Sequence, residues 1–335
     1  VLVLGPPLGA GSVRAAAPPA ASPAAPPVKA SEVAAPAVAD LVGRLKACKA
    51  LTSCAPVRAL LARGPAIWPA LRVGLEAPDE MTRFWTLGVL SELPIPAARE
   101  AIEARLGDPK IRVRAAAAYA LGALRDRAVS PALVRALQDN DLNVRFAAAV
   151  ALGRVHDPAT VGALVAACRD KDDDVRAYAA LALGDTVGAM DAGAPGREAA
   201  RAQARRALLE RLDQDLFPKV RGFAAMALSK LRDPATLHPL LARLRAEDDP
   251  KALAAAVFAL GALGDVAALN PLRALQAGLA NDRREALRDD AELREYLRDA
   301  IQELTPKPAP PAAPATGSPA PGAPAAPPPA SPPSR

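Results

Sequence analysis

Val113-Arg114-Ala115-Ala116-Ala117-Ala118-Tyr119-Ala120-Leu121-Gly122-Ala123-Leu124 returns 31 residues later as Val144-Arg145-Phe146-Ala147-Ala148-Ala149-Val150-Ala151-Leu152-Gly153. The echo extends in both directions. With Arg83, Arg114, Arg145, Arg176, Arg221 and Leu253 as anchors, the successive spacings are 31, 31, 31, 45 and 32 residues. Valine precedes the anchor at Val113, Val144, Val175 and Val220. Leucine follows seven positions later in all six units, and glycine or serine one position after that. An acid stands six before the anchor at Asp108, Asp139, Asp170, Asp215 and Glu247, and aspartate stands twelve after it at Asp126, Asp157, Asp233 and Asp265. The long interval is 31 plus an insertion of 14, assigned to the Gly-rich stretch Gly184 to Gly196. A fixed period of this length marks a supersecondary unit that buries its apolar face only by stacking on copies of itself.

Each unit reads as two helices. The second begins near the anchor and carries apolar residues at offsets −1, +3, +4, +7 and +10, which make one face of a 3.6-residue helix. Alanine dominates +3 and +4, so neighbouring helices can approach closely. The aspartate at +12 is an N-cap for the next helix, with Pro158 or Pro234 at the first helical position. That next helix buries Leu133, Val134 and Leu137, then Leu164, Val165 and Cys168, then Leu240, Leu241 and Leu244. The reading is all-α: an α-α superhelix of about six helix pairs.

These segments resemble the HEAT-like repeats named for the phycobilin lyases, over about residues 67–280. The resemblance implies a ladder of hydrogen bonds between the repeated arginine and the preceding aspartate. The matching positions are Arg114, Arg145, Arg176 and Arg221, and Leu253 in place of arginine implies that the ladder stops there. It also implies two activities to test: bilin-lyase-like chemistry, as enzyme or enzyme partner, and the iron chemistry of a deoxyhypusine-type hydroxylase. The latter needs several His-Glu pairs, and neither His156 nor His238, the chain's two histidines, is followed by glutamate.

Composition agrees with the helical reading. Of the 335 residues 51% are apolar but only 3% aromatic, so alanine, leucine and valine carry the burial. The 36 prolines concentrate at the ends. Residues 1–38 read as a truncated export signal, with Ala15-Ala16-Ala17 as its small-residue site, or as a plain N-terminal arm, followed by a Pro/Ala-rich linker. Residues 39–304 form the repeat domain with its caps, residues 40–62 at one end and the charged helix 282–304 at the other. Residues 305–335 hold 13 prolines and two charges, Lys307 and Arg335, a composition that cannot offset the entropy of ordering by burial. Cys48 and Cys54 form a disulfide in an oxidising compartment or remain two thiols in the cap. The periplasm or cell envelope is favoured over the cytoplasm. Cys168 takes a leucine position and reads as a buried thiol.

No dinucleotide-binding or phosphate-binding glycine motif is present, and no cofactor or metal is called for. The net charge of +6 raises nucleic acid as a partner, but the anchor arginines are expected to be paired. Offsets +1, +2 and +5 of the second helix point away from the core stripe, yet they hold seven of the ten aromatics. The expected partner-binding row is Phe84, Trp85, Tyr119, Phe146, Val150, Tyr178, Leu181, Phe223, Met226 and Phe258. Charged residues at +9, namely Glu92, Arg154, Asp185 and Lys230, flank it. An apolar row with a charged margin suits a protein-binding groove, so the chain reads as a non-catalytic protein-binding scaffold.

Overall fold

The computed structural model describes residues 35–51, 53–279 and 285–305. The stretch 1–34 and the tail 306–335, read above as export signal, linker and Pro/Ala-rich segment, lie outside the described residues. The chain opens with α1 (Ala35–Gly43) and α2 (Ala55–Leu61). Outer and inner helices then alternate: α3 (Trp68–Leu75) with α4 (Glu80–Glu92), α5 (Arg99–Ala104) with α6 (Ile111–Leu124), and α7 (Ser130–Ala136) with α8 (Leu142–Val155). They continue as α9 (Val161–Ala167) with α10 (Asp173–Gly188), α11 (Arg197–Gln214) with α12 (Pro218–Lys230), and α13 (Leu237–Ala246) with α14 (Pro250–Leu263). After α15 (Leu269–Leu279), the short α16 (Glu285–Arg288) leads into α17 (Ala291–Leu304).

Local chemistry starts and stops each helix as its residues dictate. Asp79, Asp141, Asp172 and Asp249 cap inner helices through the N–H groups of Thr82, Asn143, Val175 and Ala252. Asp126, Asp157, Asp233 and Asp265 cap the 3-10 turns that open the outer helices. The residue eleven after the anchor turns the chain with positive φ: Arg125 (52°), His156 (53°), Arg232 (48°) and Gly264 (77°). Glycine alone adopts this conformation without cost.

Packing follows the alanine pattern. A Cβ on Gly122 would lie 2.7 Å from Cα of Ala151, and one on Gly184 would lie 2.7 Å from Cα of Ala227. Successive inner helices therefore come close enough at these positions for backbone to meet the space of a missing Cβ. Leu90, Leu121, Leu152, Leu183, Leu228 and Leu260, all fully buried, run down the middle of the stack. Each contributes roughly 1.5–3 kcal/mol by burial.

The arginine ladder is present and begins one unit early, at Arg83. Each arginine reaches forward rather than back for its carboxylate. Arg114 donates Nε and Nη2 to Asp139 at 2.9 and 3.0 Å, and its Nη1 returns to the carbonyl of Asp108 at 3.0 Å. Arg83–Asp108, Arg145–Asp170, Arg176–Asp215 and Arg221–Glu247 repeat the pattern. Burial pushes these carboxyls up, but the arginine bond and a backbone N–H two residues on more than offset it, so all five sit below their ordinary values.

Two sequence expectations are revised. The insertion is not confined to a Gly184–Gly196 loop, because Gly184 lies inside α10. The added residues lengthen α10 to Gly188 and build an α11 of 18 residues, where other outer helices have 6 to 11. The charged C-terminal segment is more than a cap. α15 and α17 form a seventh helix pair, and Ala300 meets Gly261 as Ala151 meets Gly122. In α17, Asp290 caps the start four residues before Arg294, which donates to the carbonyl of Arg288, six residues back, as the other anchors do.

Candidate protein-binding face

Four aromatics from four successive units form a continuous row along the inner helices. Tyr119 and Phe146 stand 6.4 Å apart between ring centroids, Phe146 and Tyr178 4.6 Å, and Tyr178 and Phe223 5.2 Å. All three pairs meet edge to face, a geometry worth about 0.5–1.5 kcal/mol per pair beyond burial. The four rings are half-buried. Val150, Leu181 and Met226 are half-buried beside them. Burial raises the Tyr119 phenol above its ordinary value. Neither the Tyr119 nor the Tyr178 hydroxyl hydrogen-bonds another residue among those described.

The row's margin is charged and internally paired. Lys219 lies 5.5 Å from the Tyr178 ring centroid and pairs with Asp174, and Lys230 pairs with Asp185. These contacts bridge α10 and α12 across the insertion. Arg154 is half-buried, and its charge works against the rise that burial gives the Tyr119 phenol.

The ends of the row differ from the sequence expectation. Phe84 and Trp85, placed there on the open face, are each only 4% exposed. Trp85 Nε1 donates to the Cys48 carbonyl of the N-terminal cap at 3.1 Å, and Phe84 packs edge to face on Trp85. They belong to the core under the N-terminal cap. Cys48 and Cys54, six residues apart, are joined as a disulfide. At the other end Phe258 is 40% exposed and meets Tyr296 of α17 at 6.0 Å. Tyr296 forms a separate ring pair with Phe258 and was missed in the sequence because its helix lies outside the even period. A further exposed apolar pair, Leu216 and Phe217, sits in the loop before α12, with the Arg176 guanidinium 5.6 Å from the Phe217 ring centroid.

The remaining reactive groups are placed by structure. Burial pushes the Cys168 thiol up to about 12, which leaves it protonated and unreactive. His156 turns the chain between α8 and α9, with Nδ1 3.3 Å from the Asp185 carbonyl, and His238 is exposed on α13. Among the described residues, no group of three or more His, Cys, Asp or Glu converges as metal ligands do. No helix among them is long and apolar enough to cross a membrane.

The fold has relatives among solved structures. The chain is similar to yeast importin-β (Kap95p), with 14% identity over 80% of this chain and 38% of that one at a TM-score of 0.54. It is also similar to the CpcE–CpcF complex of phycocyanin lyase from Nostoc (22% identity, 71% of this chain, 94% of that chain, TM-score 0.44). Human deoxyhypusine hydroxylase aligns at 24% identity over 74% of this chain and 99% of its own, with a TM-score of 0.34. At these identities the likeness is one of fold. Among curated proteins none matches the chain in sequence. Residues 99–184 and 205–303 match the HEAT-repeat family. With its forward-reaching arginines and stacked helix pairs, the chain belongs to that family.

Proposed function

We propose that this protein is a non-catalytic scaffold that holds a protein partner along the inner row Tyr119–Phe146–Tyr178–Phe223. The carrying observation is that four successive units each place a half-buried aromatic in one run of ring contacts. Aromatics with apolar neighbours and a charged rim give large contact area at low entropic cost. Repeat arrays present such surfaces in extended form. A nucleic-acid reading is disfavoured because the five ladder arginines are engaged by carboxylates. The Cys48–Cys54 disulfide supports placement in an oxidising compartment such as the periplasm or envelope.

The test is affinity capture from the native organism with the full chain as bait and Phe146→Ala/Phe223→Ala as control. Circular dichroism first establishes that the control keeps its helices. A protein retained by the wild type and lost by the folded control supports the reading. Identical retention by both baits overturns it.

A further inference from the structure

The fifth residue after the anchor is large and apolar in five units, as Tyr119, Val150, Leu181, Met226 and Phe258, but in the first unit it is Gly88. Another part of the chain takes that space. A Cβ on Gly88 would lie 2.8 Å from Cδ1 of Leu51, so Leu51 of the N-terminal cap stands where the later units put a side chain of their own. Beside it, Trp85 Nε1 donates to the Cys48 carbonyl at 3.1 Å. The stretch Cys48–Leu51 is thus laid on α4 at the offsets where later units carry the aromatic row.

Both flanks of that stretch are anchored independently. Leu45, in the 3-10 turn Arg44–Ala47, is fully buried, and so are Val57 and Leu60 in α2. Beyond Cys48 the stretch itself rests on little: Lys49 and Ala50 are exposed, and Leu51 is half-buried. The covalent tie from Cys48 to Cys54 supplies the rest. It removes conformational freedom that the stretch would gain on release. A segment with few buried contacts is where local opening occurs first.

The bond is open to exchange from one side. Cys48 is buried, whereas Cys54 is half-buried between exposed Ser53 and Ala55. A thiolate of an external dithiol attacks the Cys54 sulfur, the Cys48–Cys54 bond breaks, and Cys48 leaves as a thiolate that takes up a proton. The second thiolate of the dithiol then displaces Cys54, which is protonated in turn. Two electrons and two protons pass to the protein, and the dithiol becomes a disulfide. Exposed Lys46 and Lys49 flank Cys48 in sequence, and positive charge favours the thiolate that leaves.

We propose that the Cys48–Cys54 disulfide is a redox switch on the inner face. Oxidised, it holds Cys48–Leu51 against Gly88 and Trp85; reduction by a dithiol releases that stretch and adds the first unit to the face that the later units present. The Trp85 indole then loses its acceptor and turns to water, because an N–H kept buried without one is costly. The use of the opened unit rests on the reading of the inner face as a binding surface; the opening itself does not.

The test uses the full chain with Trp68→Phe, which leaves Trp85 as the remaining one of its two tryptophans. Acrylamide quenching of its fluorescence is measured with the disulfide intact, after reduction by dithiothreitol and after reoxidation. Mass spectrometry of alkylated protein establishes the state of Cys48 and Cys54. Reduction should raise the quenching constant about two-fold or more, and reoxidation should restore it, with circular dichroism unchanged, as a local opening requires. Cys48→Ser/Cys54→Ser in the same background should give the high value with or without dithiothreitol. Quenching that stays low in the reduced chain overturns the proposal. So does loss of helicity on reduction, which would make the bond a staple of the whole fold. A reversible rise with no partner captured by either form keeps the switch and removes the scaffold reading. Capture that depends on Phe146 and Phe223, with no rise, does the reverse.

Discussion

Arg176 holds Asp215 at 2.8 and 3.0 Å across 39 residues of sequence, with the same two bonds that Arg145 makes to Asp170 across 25. The insertion between α10 and α12 therefore leaves the stacking of successive units unchanged. The Asp215 side chain is 2% exposed, so removing its arginine strands a buried carboxylate.

Arg176→Met should destabilise the fold by about 3 kcal/mol at neutral pH, the low end for breaking a buried pair because Arg211 also contacts Asp215. Arg176→Met/Asp215→Leu should recover part of that loss. Urea denaturation of both variants checks this; equal losses in the two would show that the stranded charge is not the cause.

Acid should loosen the array. The five ladder carboxyls have depressed values in the fold. Their contribution is thus present above the unfolded-state value of about 4 and lost as pH falls through the folded values. The urea midpoint should hold between pH 7 and 5 and fall steadily below about 4. A midpoint unchanged down to pH 3 would contradict this account of the ladder.

Glycines at two places should respond with opposite signs. Gly122→Ala drives a methyl against Ala151 backbone and should cost about 1–3 kcal/mol by overpacking. Gly162 lies exposed in α9 with open space around it, so Gly162→Ala should stabilise by up to about 1 kcal/mol through helix propensity. Thermal melts of the two single variants suffice, and a shared sign would refute the packing explanation.

Arg125 adopts a left-handed conformation at φ 52° with an exposed side chain. Arg125→Gly should raise stability by about 1 kcal/mol, the cost of that conformation to a residue with a Cβ. A lower melting temperature would mean that the side chain makes a compensating contact.

The helix pairs, caps and core stripe were legible because one residue type recurs at one offset and burial demands it. The direction of the ladder was not. Asp108 and Asp139 occupy the same offset in adjacent units, so periodicity alone cannot say which of them takes the Arg114 fork. The seventh pair was hidden because Arg294 stands outside the even spacing and its helix lacks the alanine run. Its register appears only where Ala300 meets Gly261. Phe84 and Trp85 share offsets with the half-buried rings, but both are buried, and Trp85 bonds Cys48, 37 residues away in sequence. Offsets report which way a side chain leaves its helix, not what lies over it.

Because every rung joins an arginine to an acid one unit further on, the array has a polarity and a terminus. Duplicating or deleting an internal unit hands each arginine an equivalent acid, so the number of units can drift between descendants of one gene without breaking a rung. Leu253 has no fork to offer, so the unit formed by α13 and α14 makes no rung to the pair that follows it. Length is thus free to vary among the laddered units, and a single residue, Leu253, marks where the array passes from ion-paired stacking to stacking by packing alone.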